Sequence, residues 1–467
     1  MTKMLEFLTE KDNFDRVLSG ITPESAQLVT GIANSARAIQ IAMIAQDRIE
    51  PTIVFTPNVH QANLLQNDLR EFYPEEKLFV YNVNDMVHAQ LSVASPEEQA
   101  ERIETLEFLL SGENGVIIIP IAGARRLLPP KEVYQHAHIK IDLTSEVEIS
   151  EIIKQLVSMG YEREQIVATP GEFSVRGGII DVYPLTKEYP VRIELFDIEV
   201  DSIRSFDADT QRSLEQLDEI TIPPATEAIL PSENWEQATE RIKVAYEKTD
   251  AKLNDEEEKD ALAKHVMPTI EALENGDWHE SYAYYNSFLF EGTHTIIDYI
   301  PEDAVILYDE YPRILEGNQK IEEEETDWLE NQIKHQKILV GQETSQSFLE
   351  NQHRLKQPKV YFSMFQKGMG SLRFTALHHF HYREMQSFFN QMPMIQTEVE
   401  GWLKKGVTVL VMAENHERAE QIQGTLKDFN MNAEIHERDA AIEEGILQIL
   451  PYTVQTGFEL IEEKIAV

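Results

Sequence analysis

Cysteine is absent from all 467 residues. This excludes disulfides, thiolate zinc sites and cysteine nucleophiles. Positive charge is scarce: 41 Lys and Arg stand against 82 Asp and Glu, a formal net charge of −41. Nucleic-acid affinity comes largely from cations that neutralise phosphates, so the chain is not a general DNA-binding surface, although one local basic face stays open. Acidity favours solubility and protein partners with basic patches. The chain has no apolar run long enough to span a bilayer and no leader-like apolar stretch at its start. A cytoplasmic protein without membrane contacts is expected. Also missing are a repeat of solenoid period, a Rossmann glycine fingerprint and a Gly-x-Ser-x-Gly elbow.

What is present can build full cores: 42% of residues are apolar and 9% aromatic, so disorder is not the default. At about 150 residues per domain the length predicts roughly three or four domains. Residues 1–133 alternate helix and strand patterns. Pro51–Pro57 and Gly115–Pro120 read as buried strands, and Gln61 to Phe72 as an amphipathic helix. Such alternation predicts a parallel α/β sheet. Residues 134–222 carry one helix and then β-ribbon, a small α+β unit. The α/β pattern resumes over 223–365, with acidic runs at 254–260 and 322–325 that read as solvated helix faces or loops. Residues 366–467 form a last small α/β unit with a βαβ pattern over 406–435. The chain stops in a strand-like run at Glu463–Val467, which reads as a fragment of something longer.

Three constellations bear on chemistry. In Thr30-Gly31-Ile32-Ala33-Asn34-Ser35-Ala36-Arg37-Ala38 the spacing is that of a phosphate-cradling loop. The second glycine of such a loop lets backbone approach phosphate, its lysine reaches the β/γ oxygens, and its hydroxyl holds Mg²⁺. Here only Gly31 survives; Ala36, Arg37 and Ala38 replace the other three. By itself this is an ordinary helix-opening loop. The run Val305-Ile306-Leu307-Tyr308-Asp309-Glu310 delivers an acidic pair from an apolar strand, as helicase-type ATPases do for Mg²⁺ and the attacking water. Together the two point to an ATPase scaffold that has lost nucleotide binding. Third, His378, His379 and His381 could supply two metal ligands from one strand face, but no carboxylate lies close in sequence and a site needs three or four ligands. A structural role is expected.

The ribbon is the most informative stretch. Val191, Ile193 and Leu195 alternate with Arg192, Glu194 and Phe196, the period of a half-buried strand. Arg163 follows Gly160-Tyr161, and Arg176 precedes Gly177-Gly178. These arginines are either helix and turn decorations, held by local acids such as Glu172 or Asp181, or a protein-docking face, since arginine is enriched at interface hot spots. The two glycines would keep the surface beside Arg176 free of side chains.

The segment Gly160-Tyr161-Glu162-Arg163, Gly171–Gly177, Ile180–Pro184, Arg192–Asp197, Glu199–Arg204 and Thr210-Gln211-Arg212 resembles the second domain shared by the excision-repair helicase UvrB and the bacterial transcription-repair coupling factor (Mfd) family. The Thr210–Ser213 ending, the Glu188-Tyr189-Pro190 run and the decayed Gly31 loop favour the latter. The resemblance implies a degenerate P-loop, helicase-like (RecA-like) α/β domain, in halves 1–133 and 223–365. An inserted UvrA-binding α+β domain (134–222) would split it, and a small α/β domain (366–467) would follow. It also implies transcription-coupled nucleotide excision repair, with UvrA recruited to stalled RNA polymerase. Arg163, Arg176 and Ile180 would contact UvrA. ATP and Mg²⁺ would serve only a C-terminal translocase motor outside this chain, which would itself be a monomer without cofactor or metal. RNA polymerase and DNA would be met by those further domains, and one of them would mask the module in the resting protein. The competing reading is a UvrB-type ATP-dependent helicase module.

Overall fold

A computed structural model describes residues 3–84, 95–276, 280–388 and 391–467. Seven parallel strands build its main sheet, in the order Ala376–His379, Ala26–Thr30, Lys359–Ser363, Val305–Asp309, Thr52–Thr56, Val116–Pro120 and Leu78–Val80. Strands covered on both faces read as unbroken apolar runs, and Thr52–Thr56, Val116–Pro120 and Val305–Asp309 are buried throughout. Alternate residues feed two separate cores. Val29, Val54, Ile118, Leu307 and Phe362 face one side; Leu28, Ile53, Ile117, Ile306 and Tyr361 face the other. Helices Asn34–Asp47 and Tyr311–Lys334 contribute to opposite cores.

The apolar strand of the 305–310 run ends at Asp309, and a helix starts at Tyr311. Glu310 between them takes a left-handed φ of +58°, which makes the sharp strand-to-helix turn. The helix expected from Gln61 spans Val59–Leu69, where the Asn58 side chain accepts from the Gln61 N–H.

The inserted unit closes on itself. Ile139–Asp142 and Glu219–Ile222 pair antiparallel, so the chain enters and leaves at one place. Between them helix Ile149–Ser158 packs on a sheet ordered Ser213–Leu217, Glu199–Phe206, Val191–Phe196, Ile179–Val182, Glu172–Arg176 and Glu162–Arg163. This unit has its own core around Leu156, Phe173, Ile193 and Ile203. A buried carboxylate ties its exit to the main body: Glu227 receives Arg102 Nε at 2.8 Å, Arg126 at 3.2 Å and the Tyr81 hydroxyl.

After the insert comes a helical pair rather than an immediate return to the sheet. Trp235–Asp250 and Glu256–Asn275 pack together, with a core that includes Ile242, Val266, Ile270 and Tyr285. The 322–325 run is not a wholly solvated face. Glu322 and Glu325 bind buried Arg125 at 3.0 and 2.6 Å.

The last sheet runs Tyr382–Glu384, Phe458–Leu460, Ile465–Ala466, Thr408–Met412, Leu447–Leu450 and Glu434–Ile435. Leu447–Leu450 lies between the two strands of the expected βαβ unit. Because Ala376–His379 pairs with Ala26–Thr30, the main sheet extends past the boundary expected at residue 366.

Candidate docking surface and relic nucleotide site

The Gly31 loop and the Asp309-Glu310 pair, far apart in sequence, meet at the C-terminal ends of the parallel strands. That is where open α/β sheets place ligands. In this chain the place is filled by protein. Arg37 reaches Asp309 Oδ1 through Nε at 2.8 Å and Glu310 Oε1 through its terminal nitrogen at 2.7 Å. The Arg37 side chain is only 9% exposed. Burial raises the Asp309 pKa, an effect opposed by Arg37 and reinforced by Glu310. The Met364 N–H also donates to Glu310 at 3.1 Å. The cation thus lies on the acids that would hold Mg²⁺ in an active ATPase.

The loop itself is covered. Gly31 has φ +68°, and an added Cβ would collide with the Phe380 carbonyl oxygen and press on the His379 ring. The Thr456 N–H donates to Ser35 Oγ at 3.1 Å, and the Gln455 N–H to Asp68 at 3.1 Å. Ser35 in turn donates to Asp68. Ser35, Ala36 and Ala38 are wholly buried. Groups that would cradle phosphate in an active site therefore hold the last unit against the main body.

The histidines join the same seam. Thr30 Oγ1 and His379 Nδ1 are 3.0 Å apart, the His379 and His381 rings meet edge to face at 4.8 Å, and His381 pairs with Glu462 at 2.9 Å. Sequence proximity had shown no carboxylate; folding brings Glu462 from the far end of the chain. No group of three or more potential metal ligands occurs among the described residues.

The ribbon surface has the opposite character. Gly177-Gly178 forms a two-residue turn, so Arg176 pairs with Ile179 and Val175 with Ile180. Strand alternation then sends Ser174, Asp181, Arg192 and Arg204 to one face, and Val175, Ile180, Ile193 and Ile203 to the other. Asp181 is fully buried and receives three bonds: Arg192 Nε at 2.7 Å, Arg192 Nη2 at 2.8 Å and Arg176 Nη2 at 2.6 Å. Arg192 stacks over Phe206 with 4.5 Å to the ring centre. One carboxylate thus holds two guanidiniums, and the Arg176 side chain stays 45% exposed. The other suggested anchor, Glu172, turns to its own loop instead. It accepts from the Ala168 and Thr169 N–H groups and the Thr169 hydroxyl. Burial opposes its ionisation, but these bonds outweigh it and hold its pKa below the usual carboxylate range.

Arg163 is exposed on the parallel edge strand, and its side chain makes no bond or ion pair among the described residues. Ile180 corrects an expectation: it is wholly buried in the ribbon core, so it supports the surface rather than touching a partner. Arg192 was not singled out as a site residue from sequence. Its signal was there, as the one basic residue in the polar phase of Val191–Phe196.

Fold and site together define a helicase-like α/β scaffold with an internally filled nucleotide position, carrying an inserted β-ribbon domain. Residues 139–227 match the family described as the UvrB interaction domain. Over 468 residues the chain is 34% identical to the transcription-repair-coupling factor of Bacillus subtilis (strain 168), covering 100% of this chain and 40% of that relative. With the same factor of Staphylococcus aureus (strain MRSA252) it shares 31% identity over 463 residues, 98% of this chain and 39% of that relative. Along nearly its whole length the chain is thus similar to the N-terminal part of the transcription-repair-coupling factors. It spans about 40% of the length of these relatives.

Proposed function

We propose that this chain is the docking module of a transcription-coupled nucleotide excision repair factor, working in the cytoplasm: it recruits UvrA to stalled RNA polymerase and hydrolyses no ATP itself. The observation that carries this reading is the Arg176 guanidinium, fixed on buried Asp181 yet half open to solvent within the matched residues 139–227. Arginine held in a defined position makes forked bonds to a partner carboxylate with little further loss of freedom. Arg163 supplies a second exposed cation on the neighbouring edge strand. The main sheet, built from 1–133 and 223–379, acts as scaffold. Contacts with RNA polymerase and DNA, and an ATP-driven motor, belong to the part of the relatives that this chain does not cover.

The absence of ATP chemistry is part of the proposal and rests on Arg37, which occupies the acids a nucleotide–Mg²⁺ complex would need. The direct test titrates UvrA into the chain and into R163A and R176A by calorimetry. Weakened binding by both variants is expected; unchanged affinity would move the interface elsewhere. Millimolar ATP is expected to give neither a thermal shift nor turnover, and measurable hydrolysis would restore the helicase reading.

A further inference from the structure

The two two-residue hairpin turns of the ribbon, Gly177-Gly178 and Asp197-Ile198, lie at one end of its sheet. Strand Ile179–Val182 begins beside the end of Val191–Phe196, with Ile179 opposite Glu194. The Leu195 N–H donates to the Gly178 carbonyl at 2.7 Å. A Cβ on Gly178 would sit 2.7 Å from the Leu195 oxygen, so glycine is what lets the two turns touch.

At this junction a bulge sets the faces. Glu194 pairs with Ser202, but Leu195 pairs with Val200, leaving Asp201 over. Leu195 and Val200 turn to the core. Phe196, opposite Glu199, therefore stands on the same face as Asp181 and Arg176. It is 77% exposed, the most exposed Phe or Tyr among the described residues, and its ring meets no other ring. Beside it Arg204 is already engaged by Glu194, whereas Arg176 shares its carboxylate with Arg192 and keeps surplus positive charge. An exposed aromatic ring on the same face as a positioned, half-free arginine two strands away is the composition of an interface hot spot.

We propose that Phe196 is the apolar anchor of the UvrA interface, entering a pocket on UvrA while Arg176, two strands away on the same face, meets a carboxylate of the same partner. This rests on the UvrA reading above and goes beyond it, because it extends the contact from the edge strand and the Gly177-Gly178 turn to the second hairpin. The commitment to UvrA follows from the position of both residues inside the matched domain, on the face that carries the proposed Arg176 contact.

Calorimetry of the full chain with UvrA tests this, using F196A, F196Y and R176A. Phe196 is 77% exposed and lies outside the ribbon core, so F196A should melt like the unsubstituted chain. It should bind UvrA at least about 10-fold more weakly, while F196Y stays within about 2-fold, because the ring is the anchor. The F196A loss should persist at about 0.5 M salt, where charge contacts are screened and the R176A loss shrinks. Unchanged affinity of F196A alongside weakened R176A would overturn the anchor and leave the UvrA reading standing. Unchanged affinity of both would overturn the reading itself.

Discussion

Arg37 and Arg176 are both arginines bound to buried aspartates, and they differ in stoichiometry. At the relic nucleotide position one guanidinium serves two acids, and all three side chains are at most 13% exposed. On the ribbon two guanidiniums serve one acid, and Arg176 is left 45% exposed. The first arrangement uses up its cation; the second displays one. Buried ion pairs return their desolvation cost only when fully satisfied, so Arg37 is committed to structure. Arg176 keeps hydrogen-bonding capacity for a partner. Within a chain of net charge −41, it is this local surplus that makes the ribbon distinct.

The comparison is broken most forcefully at Arg37. R37A strands Asp309 and Glu310 inside the protein and should cost about 3–5 kcal/mol in denaturant unfolding, with UvrA affinity per folded molecule unchanged. A loss of UvrA affinity in the folded fraction would mean that the two regions are coupled. A smaller effect should come from acid. Arg102 and Arg126 overcome the burial of Glu227 and hold its pKa at about 2. A carboxylate depressed in the folded state stabilises above its unfolded value near 4.3, and that contribution fades as pH falls toward 2. On the order of 3 kcal/mol should disappear across that window. In E227Q the slope of stability against pH should flatten there; an unaltered slope would remove Glu227 as the acid-sensitive joint between ribbon and body.

R176A should then reverse the Arg37 pattern, with UvrA binding weakened by about 2 kcal/mol and stability little altered, because Arg192 still neutralises Asp181. R163A should be the mildest, about 1 kcal/mol of affinity and no detectable change in melting, since its side chain has no bond to lose. If Arg176→Ala instead unfolded the ribbon, its exposure would be incidental and the contrast with Arg37 would vanish.

Much of the scaffold was legible. Runs such as Thr52–Thr56 and Val305–Asp309 are apolar on both phases because both faces of a parallel sheet are covered. Arg176 could be singled out because an arginine before two glycines sits on a surface free of neighbouring side chains, although its anchor on Asp181 was only one of the alternatives open. Ile180 entered through the family resemblance alone, and no local pattern shows that the two-residue turn pairs it with Val175 and sends it to the core. The helical pair Trp235–Asp250 and Glu256–Asn275 was recognised as helix, but its separate core was not. The boundary near residue 366 was misplaced because Ala376–His379 is a short edge strand whose pairing with Ala26–Thr30 spans some 350 residues, beyond any local pattern.

By itself the sequence determined that Ala36, Arg37 and Ala38 stand where a phosphate-cradling loop carries glycine, lysine and a hydroxyl, because that pattern is local. It also determined the β-ribbon, because period-two alternation needs no distant partner. Only the tertiary structure decided that Arg37 closes on Asp309 and Glu310 and that Thr456 seals the loop. It alone decided that Asp181 holds two arginines while Phe196 is left exposed on the same face. Burial and charge balance depend on which distant segments meet, and local patterning carries no record of that.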